Sequence, residues 1–151
     1  MKEKIIISFL VIATLVSATY LAMLPPRNAE TVEFQTVLKG QYSGISNRET
    51  IIINSKEEWT TFMRNFNYSS QDLGIEDITF EEGRYTYIVV TMGENQTTGY
   101  EIEIKEVYEY KDHIKLYVIR EVPCAGCILE EKITRPFHII KIAKTNKDIL
   151  R

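Results

Sequence analysis

Residues Tyr85 to Met92 read Tyr-Thr-Tyr-Ile-Val-Val-Thr-Met. Every position is aromatic, β-branched or apolar, so neither face of a strand built from them is suited to water. A run of this kind belongs at the centre of a sheet that is covered on both sides. It therefore requires neighbouring strands along both edges and a further layer on each face. The chain has 151 residues, 44% of them hydrophobic and 26% charged, enough for one domain with one substantial core.

The neighbours are visible on either side. Thr31 to Leu38 alternates, with Val32, Phe34, Thr36 and Leu38 as its inward set and Glu33 and Gln35 outward. Gly40 ends it, a turn-rich connection follows, and Glu49 to Ile53 is a short strand. Ser55 with Glu58 three positions later is a capping box. Trp59, Phe62, Met63 and Phe66 then recur at helical spacing and form one apolar face, suited to covering a sheet. Residues 69–84, with Asp72, Gly74, Glu76, Asp77, Glu81, Glu82 and Gly83, read as a solvated connection; their acidic side chains lack the alternating oxygen ligands of a calcium loop. Beyond the central run, Tyr100, Ile102 and Ile104 face inward while Glu101 and Glu103 face outward. Lys111-Asp112 is a turn, His113 to Val122 a strand, Ile128 to Thr134 a weaker strand, and Phe137 to Ala143 the last one, before a polar tail that frays. The expected fold is mainly β (α+β): about seven strands in an antiparallel sheet, sandwich or partly closed barrel, with one amphipathic helix.

The N-terminus is organised differently. Ile5 to Leu24 runs for 20 positions without a charge, long enough to cross a bilayer as a helix, and Pro25-Pro26 stops it. It reads either as a retained membrane anchor or as a signal peptide cleaved near Val16-Ser17-Ala18. On both readings the domain is outside the cytoplasm, at the cell membrane or secreted. The division is then 1–24 signal or anchor, 25–30 linker, 31–145 β-rich domain and 146–151 tail. In an exported chain Cys124-Ala125-Gly126-Cys127 reads first as a local disulfide; free thiols, a thiol-disulfide centre and a two-ligand metal contribution are the alternatives. A net charge of −3 argues against a nucleic-acid partner.

Catalytic patterns are not found. The two histidines, His113 and His138, stand after a turn and within a strand, and no Gly-x-Ser-x-Gly, His-Glu-x-x-His or phosphate-cradling glycine loop occurs. No cofactor and no metal is expected. What remains is recognition. The loop from Gly93 to Tyr100 carries Asn95, Thr97, Thr98 and Gly99 and ends in an amphipathic aromatic ring; Arg135, Pro136 and Phe137 present a donor fork held extended by the proline. Two such loops suit an extended peptide or a protein cleft, if they meet.

These residues resemble the C-terminal domain of the PrcB family, a protease-complex subunit family. The resemblance is carried by Gly93, Thr98-Gly99-Tyr100 with Ile102 and Ile104, then Pro123, Gly126 and Cys127, then Thr134, Pro136 and Phe137, over about residues 83–145. The family often has a second glycine where this chain has Thr98, and it need not carry an equivalent of Cys124. The resemblance implies an exported, non-catalytic accessory protein that binds a protease or another extracytoplasmic protein and supports its assembly or stability. Asn95 to Tyr100 and Arg135-Pro136-Phe137 are also similar to two loops of chagasin-like inhibitors of cysteine proteases, which implies inhibition as an alternative. The helix and the cysteine-bearing turn depart from that second pattern.

Overall fold

The computed structural model describes residues 28–66 and 78–151. The apolar run at 5–24, Gly74 and the acidic positions Asp72, Glu76 and Asp77 lie outside the described residues. Among the described residues no helix is long and apolar enough to cross a membrane.

The central strand is β4, Tyr85–Thr91, and its two faces are used differently. β4 lies between β3 (Thr50–Ile53) and β7 (Phe137–Ala143), with β2 (Gln35–Gly40) beyond β7, in one antiparallel four-stranded sheet. Tyr87 and Val89 face the helix α1, Lys56–Asn65, and pack with Leu38, Ile53, Trp59, Phe62, Phe66, Phe137 and Ile139. Ile88, Val90 and Met92 point the other way, toward a second sheet. That sheet has the order β1 (Glu30–Thr31), β5 (Glu101–Glu109), β6 (His113–Glu121) and β8 (Asp148–Leu150). Ile102, Ile104, Val107, Ile114 and Leu116 from it meet Ile140 and Ile142 of β7 in the inter-sheet core. The period-2 alternation of strand side chains thus supplies two cores from one sheet. Among the described residues the fold is a mainly β sandwich of eight strands, with one helix on an outer face and no closed barrel.

The capping box forms as read: the Ser55 side chain accepts from Glu58 N–H, and Glu58 accepts from Asn54 and Ser55 N–H at 2.6 and 3.2 Å. Three expectations are corrected. Thr31 to Leu38 is two strands in two sheets, so its inward set divides: Val32 and Phe34 pack on the inter-sheet core and Leu38 on the helix side. The chain crosses between the sheets at 32–34, and the register shift between Thr36 and Leu38 is a bulge within β2 against β7. Ile128 to Thr134 forms no strand; its β-branched residues find no ladder and only Thr134 makes a bridge. The end of the chain does not fray, because Asp148–Leu150 pairs in parallel with His113–Lys115 of β6, and Lys147 Nζ reaches Tyr110 O at 2.7 Å and Glu109 at 2.7 Å.

His138 joins the two sheets. It is 2% exposed. Its Nδ1 accepts from the Ile104 N–H of β5 at 3.0 Å, so its proton sits on Nε2, which donates to Thr36 Oγ1 at 2.9 Å. Two-residue β1 pairs only with Tyr108 and Glu109, leaving that edge of β5 open where the imidazole enters. Burial first, with Lys39 and Lys105 nearby, pushes its pKa down to about 4 against the opposing pull of Glu103. Both nitrogens are occupied in holding strands. His113 is half-buried, stacked on Tyr110 with ring centroids 4.6 Å apart and paired with Asp112 at 2.8 Å.

Candidate functional site

The loop after β4 and the segment before β7 meet at one end of the sandwich and are zipped together. Asn95 and Thr134 exchange two backbone hydrogen bonds of 2.9 Å. Thr134 Oγ1 donates to Thr97 O at 2.9 Å, Thr98 N–H donates to Glu130 O at 3.1 Å, and Thr98 Oγ1 accepts from Glu130 N–H at 3.2 Å. Asn95 Nδ2 closes its own loop on Gly93 O at 3.1 Å. The hydroxyl and amide groups that a loop-only reading offers to a partner therefore serve the other loop.

Arg135 is similarly occupied. Its Nη2 and Nε donate to one carboxylate oxygen of Glu94 at 2.6 and 3.2 Å, and its backbone bonds Gln41 and Ser43. Pro136 is buried and its carbonyl accepts from Met92 N–H at 2.9 Å. Phe137 is 0% exposed, edge-on to Phe66 at 4.9 Å. That ring is a core anchor and does not stand on the outer edge, which corrects its place among the expected contact residues. Tyr100 is half-buried against the inter-sheet core.

Two glycines make the meeting close. Gly93 has φ +83°, and a Cβ there would lie 3.0 Å from Ser46 O and 3.1 Å from Arg48 N. Gly99 has φ +90°, and a Cβ would lie 3.1 Å from Leu129 Cδ2 and 3.3 Å from Pro123. Both positions demand a left-handed backbone and a bare surface. Cys124 and Cys127 are disulfide-bonded, with Cα atoms 5.5 Å apart, and Cys127 N–H closes the turn on Cys124 O at 3.2 Å. The pair stands in a turn, without the helix N-terminus that lowers a thiol pKa in redox Cys-x-x-Cys sites.

Among charged neighbours such as Glu121, Glu130 and Glu131, this framework exposes three large apolar side chains. Val122, Ile128 and Ile133 are 68%, 103% and 47% exposed. Each is next to a residue that grips the Gly93–Tyr100 loop: Pro123 and Leu129 against Gly99, and Thr134 on Asn95 and Thr97. Reading the sequence did not single out these three, because Val122 and Ile128–Ile133 have strand-like character and only the absence of a ladder reveals them as surface. Among the described residues no group of three or more His, Cys, Asp or Glu side chains is placed to hold a metal ion.

The stacked sheets, the one outer helix and the zipped end define a mainly β domain whose loops close on one another at a stapled edge. The model of the family described as PrcB C-terminal matches residues 86–143, from β4 to the end of β7, and this stretch is similar to that family. That match suggests a protease-complex-associated subunit and, with it, a protein partner. No match is found among curated proteins, and none among solved structures. The likeness to chagasin-like inhibitors is not shown.

Proposed function

We propose that this chain is an exported, non-catalytic accessory subunit that binds a protease or a companion of one at the stapled edge and supports its assembly or stability. The observation that carries the reading is the display of Val122, Ile128 and Ile133 on a framework in which Asn95, Thr98 and Thr134 already bond across the two loops. Apolar side chains left in water on a rigid loop gain roughly 25 cal/mol per Å² when a partner covers them. A pre-ordered loop also loses little conformational entropy on binding. Export is supported by the uncharged run at 5–24 and by the disulfide, which persists in oxidising compartments. Anchoring through residues 5–24 would hold the subunit at the membrane surface.

The test is reciprocal recovery from native membranes. Full-length chain is expected to co-purify with one protease complex, and Ile128→Asp to lose it while melting at an unchanged temperature. Recovery of the complex at the wild-type level with Val122→Asp, Ile128→Asp and Ile133→Asp combined would overturn the reading.

A further inference from the structure

β6 runs from His113 to Glu121, but β8 pairs only with its first three residues, His113, Ile114 and Lys115. From Leu116 to Glu121 the opposite side of β6 is paired with β5, and the side facing β8 has no strand among the described residues. The open stretch borders a cavity of about 480 Å³ lined by Leu116, Tyr117, Val118, Arg48, Arg120 and Arg151. Arg48 arrives from the loop before β3, Arg120 lies near the end of β6, and Arg151 follows β8. Three separate elements thus bring guanidinium groups to one unfilled edge.

These cations are not neutralised in the way others in the chain are. Lys39, Arg84, Lys105, Arg135, Lys141 and Lys147 each pair with a glutamate. Arg48, Arg120 and Arg151 have no carboxylate partner among the described residues; Arg151 has a 3.4 Å contact from Nη1 to Thr50 Oγ1. Partial burial and mutual repulsion lower the pKa of Arg120 and Arg151, burial being the larger cause in both. Like charges gathered without counter-charge disfavour the empty site and favour an anion in it. Guanidinium forks match carboxylates in particular. The partly buried Val118 and the 55% exposed Tyr117 add apolar and aromatic surface, which suits side chains alternating with the acidic ones.

We propose that the open edge of β6 from Leu116 to Glu121, flanked by Arg48, Arg120 and Arg151, receives an extended acidic segment of a protein partner as an added strand. Unpaired main-chain groups of an edge strand supply the hydrogen bonds of such an addition, and flanking side chains select the sequence. Only the source of the segment rests on the proposed role as a protein-binding subunit; the edge and its charges stand without it. The site adjoins the stapled edge, since Val122 follows Arg120 by two positions and Gly93 packs on the Arg48 backbone.

Purified full-length chain should be titrated with a labelled peptide, acetyl-Glu-Val-Asp-Val-Glu-amide, and with its Gln/Asn counterpart. The acidic peptide is expected to bind, to weaken as salt rises, and to slow hydrogen exchange at the open-edge amides of residues 116–121. Arg120→Gln with Arg151→Gln should weaken it at least tenfold at an unchanged melting temperature, while Ile128→Asp should leave it unaltered. Equal affinity for both peptides, or no change in the double variant, would mean that the arginines only guard the edge, and the inference would fall. It would also fall if inorganic phosphate or phosphatidylglycerol vesicles bound at the arginines and the peptide did not. Loss of protease recovery in Ile128→Asp with peptide binding intact separates this site from the apolar one. Peptide binding without any recovered protease would overturn the protease reading and leave the strand addition standing.

Discussion

The stapled edge and the open edge of β6 lie near each other yet distribute their chemistry in opposite ways. At the stapled edge Arg135 has Glu94, the backbone of Asn95 has that of Thr134, and the uncovered groups are Val122, Ile128 and Ile133. At the β6 edge Leu116 is buried, and among the described residues the guanidinium groups have no carboxylate partners and the backbone side facing β8 has no strand. The first is prepared for contacts whose strength comes from water exclusion and varies little with salt. The second is prepared for contacts that salt screens over about 8–10 Å. A partner that used both would show affinity from one and registration from the other.

The largest expected effect tests whether Arg135-Pro136-Phe137 is a contact loop or a structural one. Phe137 fills the helix-side core against Phe66, Leu38 and Ile139. Phe137→Ala should lower stability by about 3–5 kcal/mol through lost burial and the cavity left behind. Ile128→Ala should change it by less than about 0.5 kcal/mol, the ordinary scale for a surface position. Urea denaturation of the two variants measures the contrast. A Phe137→Ala protein as stable as wild type would return that ring to the surface and break the distinction.

The second effect separates the histidine clamp from both edges. His138 has a folded pKa of about 4, below the unfolded value near 6.5. The unfolded chain therefore binds the extra proton, so the clamp's full contribution is present above pH 6.5. It declines as pH falls toward 4, by an amount on the order of 3 kcal/mol. Glu103 adds a lower window: hydrogen bonds from Lys105 and then Lys39 hold its carboxyl down at about 2, so its contribution is present above about 4.5 and is lost as pH falls toward 2. The urea midpoint of wild type should drop between pH 6.5 and 4, and that of His138→Gln should be flatter there. Parallel pH curves for the two proteins would remove His138 as the cause.

Local features were legible and juxtapositions were not. The capping box lies within four residues, and the double-sided burial of β4 is written in consecutive side chains, so both follow from sequence alone. The C-terminal strand is three residues long and exists through a parallel partner distant in sequence, which no local pattern announces. Val32 and Leu38 fit one alternating strand on paper; the break at 32–34, where the chain passes from one sheet to the other, becomes apparent only with the pairing of β1 on β5 and β2 on β7. For the candidate site, the sequence named the two loops that meet. It could not tell that their hydroxyls and Arg135 would satisfy each other, because hydrogen-bond capacity is visible in residue type and its use is not. Arg48, Arg120 and Arg151 were passed over because each alone is an ordinary surface arginine.

The smallest effect bears most directly on the two edges. Arg135 and Glu94 are each about one-third exposed, with side-chain exposure of 32%. Arg135→Gln should therefore cost only about 0.2–1 kcal/mol, an exposed pair's worth. Arg120→Gln removes a charge that has like-charged neighbours and no carboxylate partner among the described residues, so it should leave stability equal or slightly raised. Both differences should shrink in high salt, since screening weakens the attraction at one edge and the repulsion at the other. Melting curves of the two variants at low and high ionic strength give four values whose signs matter more than their size. Destabilisation by Arg120→Gln comparable with that of Arg135→Gln would mean that Arg120 already has a counter-charge in the folded chain, and the two edges would then be alike.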